Sequence, residues 1–208
     1  MSHIAEFDAA FARCPLIAIL RGVKPDEVEA IGDELVAAGF TLIEVPMNSP
    51  EPLESVSRLA KRFAGRAVIG AGTVLRVEQV QAVADAGGTM IISPNANLDV
   101  IRASAAAGMV SLPGIMTPSE AFAALDAGAT ALKLFPAEAA SPTVLKAMRA
   151  VLPAEARVLP VGGVAPDNME PWRAAGAPGF GLGSALYKVG MTAEQVGANA
   201  RAFIAALG

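Results

Sequence analysis

Apolar residues along the chain fall into two kinds of segment, and the two alternate. Short continuous runs, bounded by glycine or proline, read as buried strands: Leu16–Leu20, Thr41–Val45, Ala67–Ile69, Met90–Ile92 and Met109–Leu112. Between them lie amphipathic stretches with helical spacing: Pro25–Ala38, about Pro52–Phe63, Val77–Ala86, Leu98–Ala107 and Pro118–Ala127. The pattern continues through a strand around Lys133, a helix over Ser141–Val151, a strand at Arg157–Val161, a helix over Pro166–Ala175 and a strand at Phe180–Leu182. A leading amphipathic segment, Ile4–Arg13, and a closing helix, about Thr192–Leu207, frame the series.

Punctuation supports the alternation. Pro25-Asp26-Glu27 suits a first helical turn, with proline early and acids near the positive end of the helix dipole. The predicted helices stop at Gly39, Gly65, Gly87, Gly108 and Gly128, spaced by 26, 22, 21 and 20 residues, and Gly128 to Gly176 is 48, two units of 24. A repeat of that length, a strand followed by a helix with a C-terminal glycine, is a βα unit. Repeated along an apolar chain with no linker, it predicts an α/β fold, a (β/α)8 TIM barrel with a short N-terminal helix, as one domain over residues 1–208. An open doubly wound sheet is the competing architecture.

Composition narrows the chemistry. The 208 residues are 53% hydrophobic, enough for a sizeable core, and the net charge of −4 with no basic block argues against a nucleic-acid partner. No apolar run reaches bilayer-spanning length, and the acidic N-terminal segment lacks a signal-type apolar core, so a soluble, cytoplasmic protein is expected. Cys14, the only cysteine, precludes a disulfide framework and reads as structural. His3, the only histidine, is expected at the surface, so neither a metal site nor a histidine-based active site is expected. Chemistry falls to Lys, Glu, Arg, Thr and backbone groups.

The run Ala131-Leu132-Lys133-Leu134-Phe135-Pro136-Ala137-Glu138 puts one lysine inside a buried strand. Such a lysine is neutral, paired or aimed into a polar cavity, because burying an uncompensated ammonium is costly. Desolvation lowers its pKa and makes it a usable amine nucleophile toward carbonyls. It can equally snorkel to the surface or satisfy a nearby carboxylate. The other strand ends decide between these readings. In a barrel the active site lies at the C-terminal ends of the strands, and those ends carry Arg21, Glu44, Thr73, Pro94-Asn95, Lys133, Gly162-Gly163 and Gly183-Ser184. Singly, each polar residue could be a surface charge, a structural partner or a cap; chance would scatter them over both ends.

The glycine pairs after the strands at Arg157–Val161 and Phe180–Leu182 would let a phosphate approach backbone N–H groups, with the Ser184 hydroxyl beside them. A phosphorylated substrate, a buried amine and a carboxylate together suggest imine chemistry. Lys133 would attack a ketone, Glu44 would shuttle protons, and Arg21 with Thr73 would hold a carboxylate.

Ile17-Ala18-Ile19-Leu20-Arg21-Gly22, Glu44-Val45-Pro46, Gly70-Ala71-Gly72-Thr73-Val74-Leu75, Ser93-Pro94-Asn95, Lys133–Glu138 and Gly162-Gly163-Val164 together resemble the KDPG/KHG aldolase family over nearly the whole chain. The resemblance implies a metal-independent Schiff-base aldolase, usually trimeric and without a cofactor. Such enzymes cleave a 2-keto-3-deoxy-6-phospho sugar acid to pyruvate and glyceraldehyde 3-phosphate. It implies Lys133 as the imine lysine, Glu44 as the proton-transfer residue, Arg21, Thr73 and Pro94 at the pyruvate end, and Gly162, Gly163, Gly183 and Ser184 at the phosphate. Where the gluconate branch has an arginine after the glutamate motif and a threonine before Gly-Gly, this chain has Asn48 and Val161, which resembles the galactonate branch. A methyl in place of a hydroxyl changes which C4 configuration finds a hydrogen-bond partner. A gluconate-type or dual-specificity aldolase, an acid–base phosphosugar isomerase or synthase, and a phosphosugar-binding protein are the alternatives.

Overall fold

The computed structural model describes residues 2–207, and the alternation extends through them. Helix α1 (His3–Arg13) leads. Strand β1 (Leu16–Ile19), helix α2 (Val28–Ala38), β2 (Leu42–Pro46), α3 (Pro52–Arg62), β3 (Val68–Gly72), α4 (Val77–Asp85), β4 (Met90–Ile92), α5 (Leu98–Ala106) and β5 (Val110–Leu112) follow in turn. Then come β6 (Gly114–Ile115), α6 (Pro118–Asp126), β7 (Leu132–Leu134), α7 (Pro142–Arg149), β8 (Val158–Pro160), α8 (Met169–Ala174), β9 (Phe180–Leu182) and α9 (Ala193–Leu207).

Sequence and structure differ mainly at helix starts. Pro25–Glu27 form a turn before α2, and Pro166–Asn168 form a 3-10 turn before α8. Proline suits such entries because it has no N–H to donate. The two-residue strand β6 was not expected; Pro113 interrupts the run that begins at Val110 and divides it in two. All six helix-ending glycines have positive φ. At Gly39 this geometry does the capping: φ is 108°, and its N–H reaches back to the carbonyls of Leu35 and Val36.

Every strand pair is parallel, in two sheets ordered β5-β4-β3-β2-β1-β9 and β6-β7-β8. A single bridge, Val161 to Gly181, joins β8 to β9. At the other margin Thr130 and Ala131 donate to the Ser111 carbonyl at 2.9 and 3.3 Å, and Lys133 donates to Pro113 at 2.9 Å. These bonds tie β5 to the entrance of β7.

The pleat divides the core in two. One cluster holds Ile17, Leu42, Val68, Met90, Ile92, Val110, Leu112, Ala131 and Leu159 together with Phe7, Ala10 and Phe11 of α1. The strand members are alternate residues pointing to one face, and α1 covers that face at the strand starts. Arg157 stacks over Phe7 and Phe11, 5.4 and 5.5 Å from the ring centroids, and pairs with Asp8 at 2.7 Å. The larger cluster lies between the opposite face of the strands and the helices.

Two steps along the inner row from Leu42 comes Glu44, from Ala131 comes Lys133, and from Leu159 comes Val161. On β3 the same row reads Val68, Gly70, Gly72. A side chain at Gly70 would run into the Met90 carbonyl of β4. Gly70→Ala is therefore predicted to destabilise the fold by about 1–3 kcal/mol, as an overpacked core position does. Urea denaturation reads this as a lower midpoint at unchanged slope, and an unchanged midpoint would refute it.

Candidate active site

Glu44 and Lys133 meet at the end of the inner row remote from α1. Both line a small cavity whose other walls are Ile17, Ile19, Ile92, Leu112, Leu159, Val161 and Gly181. Glu44 is 1% exposed and Lys133 5%. Glu44 Oε2 has no hydrogen-bond partner among the described residues, and no ion pair within 4.0 Å joins the two groups. The Lys133 Nζ lies 4.8 Å from the Phe135 ring centroid.

Burial dominates the titration of both. It pushes Glu44 up to about 7, against the attraction of Lys133 and Arg21. It holds Lys133 below its ordinary value, with Glu44 opposing and Arg21 reinforcing the shift. Opposite shifts bring an acid and an amine toward neutrality from both sides. Gly72 makes the room: a Cβ there would overlap the Glu44 carboxylate.

Above this floor opens a chamber of about 500 Å³. Its lining includes Ile19, Arg21, Lys133, Phe135, Glu138, Val161–Val164, Gly183, Ser184 and Tyr187–Val189. The chamber thus joins Lys133 to the loops after β8 and β9. Gly162 and Gly163 have φ of 109° and 65°, which only glycine adopts without strain. Among the described residues, the N–H groups of Gly162, Gly163, Val164, Gly183 and Ser184 find no protein acceptor. The Asn168 side chain fixes the first loop, donating to the Gly163 carbonyl at 2.8 Å and accepting from the Ala165 N–H at 3.0 Å. Unpaired donors on an immobilised loop suit an anion.

Arg21 is exposed, and its Nη1 donates to Asn48 Oδ1 at 3.4 Å; the Gly22 N–H donates to Ser49 Oγ at 2.9 Å. Loops after β1 and β2 therefore brace one another. Thr73 and Pro94 line neither cavity. Thr73 follows Gly72 at the end of β3, with φ 54° in the left-handed region, a strained state for a β-branched residue. Pro94 lies at the end of β4, its carbonyl against Gly114. Cys14 is buried, and burial raises its pKa, as expected of a structural thiol.

Sequence reasoning missed Asn168, Tyr187 and the position of Glu138. An Asn five residues beyond a Gly-Gly pair, at the foot of a helix, was the available signal for the first. Tyr187 gave none: its hydroxyl is buried without a partner among the described residues, and burial with the Glu27 charge pushes it to about 12. A second cleft, about 430 Å³ between α1 and the starts of β3 and β4, holds none of the predicted residues. Among the described residues there is no cluster of three or more potential metal ligands and no helix long and apolar enough to cross a membrane.

The model of the family KDPG and KHG aldolase matches residues 7–200. A probable 2-dehydro-3-deoxy-6-phosphogalactonate aldolase of Rhizobium meliloti (strain 1021) is 49% identical over 192 residues, 92% of this chain and 91% of that protein. The 2-dehydro-3-deoxy-6-phosphogalactonate aldolase of Escherichia coli (strain K12) is 46% identical over 194 residues, 93% of this chain and 95% of that one. A solved native KDPGal structure superposes with a TM-score of 0.92 at 46% identity, covering 94% of this chain and 95% of its own. The chain belongs to the KDPG and KHG aldolase family and is an aldolase, a lyase.

The raised Glu44 pKa has a consequence for stability. The folded state holds this proton more tightly than the unfolded chain, so the stability it supplies is full below the ordinary 4.5 and lost as pH rises through about 7. Glu44→Gln, neutral and isosteric, is predicted to gain on the wild type by on the order of 1–3 kcal/mol between pH 4.5 and pH 8. Urea midpoints at both pH values check it; a difference that does not grow with pH would refute it.

Proposed function

We propose that this aldolase cleaves 2-dehydro-3-deoxy-6-phospho-D-galactonate to pyruvate and D-glyceraldehyde 3-phosphate through an imine on Lys133. The observation that carries the reading is the unpaired Lys133–Glu44 combination, buried in an aliphatic cavity beneath a chamber rimmed by free backbone N–H groups. An acyl-transfer or acid–base isomerase site has no need of a desolvated amine.

Neutral Lys133 Nζ attacks the C2 ketone to give a carbinolamine, and protonated Glu44 gives its proton to the departing hydroxyl, so that water leaves and a protonated imine stands beside an ionised Glu44. Ionised Glu44 takes the proton of the C4 hydroxyl. The C3–C4 bond breaks, its electron pair moves into the imine to form an enamine, and glyceraldehyde 3-phosphate leaves. Glu44 then returns a proton to C3, and water hydrolyses the protonated pyruvate imine, freeing the neutral amine and a proton that Glu44 takes up. A carboxyl poised at about 7 suits both directions of that transfer. Arg21 and Thr73 hold the substrate carboxylate, with Pro94 against the pyruvate end, and the N–H groups of Gly162, Gly163 and Gly183 with Ser184 hold the phosphate.

Val161 and Asn48 support the galactonate epimer, as do the names of the relatives at 49% and 46% identity. Val161 presents methyl groups where the C4 substituents lie, so a hydroxyl aimed at it goes unpaired. We further infer a single-domain, closed (β/α)8 barrel, supported by the Val161–Gly181 bridge, the bonds to Ser111 and a break between β5 and β6 of one residue, Pro113. Assembly as a homotrimer and a cytoplasmic location follow from the family resemblance and composition.

Incubation with pyruvate and borohydride is predicted to leave a reduced covalent adduct on Lys133, mapped by peptide mass spectrometry, and to leave none on Lys133→Arg. A folded protein that stays unmodified would end the imine reading. On the two C4 epimers, the wild type should prefer the galactonate form, and Val161→Thr should shift the kcat/KM ratio toward the gluconate form by about ten-fold or more. An unchanged ratio would remove Val161 from the specificity argument.

A further inference from the structure

We propose that Glu138 is a built-in competitor for the phosphate cradle, its carboxylate and the substrate phosphate contending for the Gly162–Gly163 backbone. The proposal rests on the assignment of that backbone to phosphate. Glu138 lies in the one-turn 3-10 helix Ala137–Ala139, five residues beyond Lys133. The Ala137 N–H donates to the Val161 carbonyl at 2.9 Å, which anchors this turn one residue before the glycine pair. The Glu138 side chain consequently lies across both glycines. A Cβ built on Gly162 would overlap Glu138 Oε2; one on Gly163 would sit 3.2 Å from Cδ and 3.4 Å from Oε1.

Three further observations suit competition better than support. Glu138 is exposed, so nothing in the core fixes it. Among the described residues it makes no ion pair within 4.0 Å, although Arg21 and Lys188 line the same chamber. The backbone donors beneath it are unpaired. A lone acid that lies across this loop, and accepts from none of its spare N–H groups, stands where an anion would approach them. A phosphate ester carries close to two charges and three acceptor oxygens against one charge and two oxygens, so it displaces the carboxylate. A hydroxyl or a carboxylate at the same carbon gains too little to do so. The arrangement would sharpen the choice of phosphorylated over unphosphorylated substrate at some cost in affinity.

The test is the inhibition constant of inorganic phosphate against substrate cleavage, measured for the wild type, Glu138→Gln and Glu138→Asp. Glutamine removes the charge; aspartate keeps it but withdraws it by one methylene. Phosphate is expected to bind about five-fold tighter or more in both, with the KM for phosphorylated substrate falling in parallel. A merely structural role for the turn would weaken binding or leave it alone. Unchanged or weaker phosphate binding in Glu138→Gln would overturn the proposal. So would tightening in Gln with none in Asp, since charge rather than occupation would then be the cause. Phosphate that fails to compete with substrate in all three proteins would bring down the cradle assignment itself, and the competitor with it.

Discussion

Burial of an amine and a carboxyl side by side in an aliphatic interior is the constraint around which this molecule is arranged. Two charges in such a place cost several kcal/mol each unless they neutralise or pair closely. Here they do neither fully: both titrate toward neutrality, yet no ion pair within 4.0 Å joins them. A tight pair would hold the lysine as an ammonium, useless as a nucleophile. In the proposed imine mechanism the separation keeps the amine reactive, and the remaining fold offsets the cost through its buried apolar walls.

The inner row of the strands supplies those walls and also sets the polarity of the molecule. At one end Phe7 and Phe11 of α1 close it, with Arg157 stacked on both rings. At the other end the same row changes from Leu42, Ala131 and Leu159 to Glu44, Lys133 and Val161. One step of the pleat period therefore separates core from chemistry. A one-residue slip of β2 or β7 would send Glu44 or Lys133 among the helices. The register Ile43 to Ile69 and Leu132 to Val158, set by the apolar pattern, is thus a functional constraint as well as a structural one.

Much of this could be read from the chain because one physical rule acts at each level. Glycines at helix ends need positive φ, and all six marked in the sequence have it. Polar residues at apolar strand ends gather wherever parallel strands share a direction, which puts Arg21, Glu44, Lys133, Val161 and the glycine pairs around one chamber and its floor. What escaped depends on contacts between distant segments. The strand β6 exists only because Gly114 and Ile115 pair with Lys133 and Leu134. Asn168 matters because its amide happens to reach the Gly163 carbonyl. Glu138 ends the Lys133–Glu138 motif, but the glycines its side chain lies over, Gly162 and Gly163, belong to a separate loop farther along the chain. Local pattern cannot report such meetings.

Thr73 joins the two levels. A threonine at φ 54° costs about 1–3 kcal/mol, and a glycine would relieve it. The strain is confined by its neighbours: the Val74 N–H donates to the Ile92 carbonyl at 3.2 Å, and Ser93 Oγ donates to the Val74 carbonyl at 2.7 Å. On the other side stands Gly72, whose missing side chain is the space Glu44 fills. The chain thus keeps a glycine where a side chain would displace the carboxylate, and a hydroxyl-bearing residue at the next position, where glycine would be more comfortable. Stability alone would choose otherwise at Thr73. Retaining the threonine fits the role that the proposed imine mechanism gives it, holding the substrate carboxylate together with Arg21.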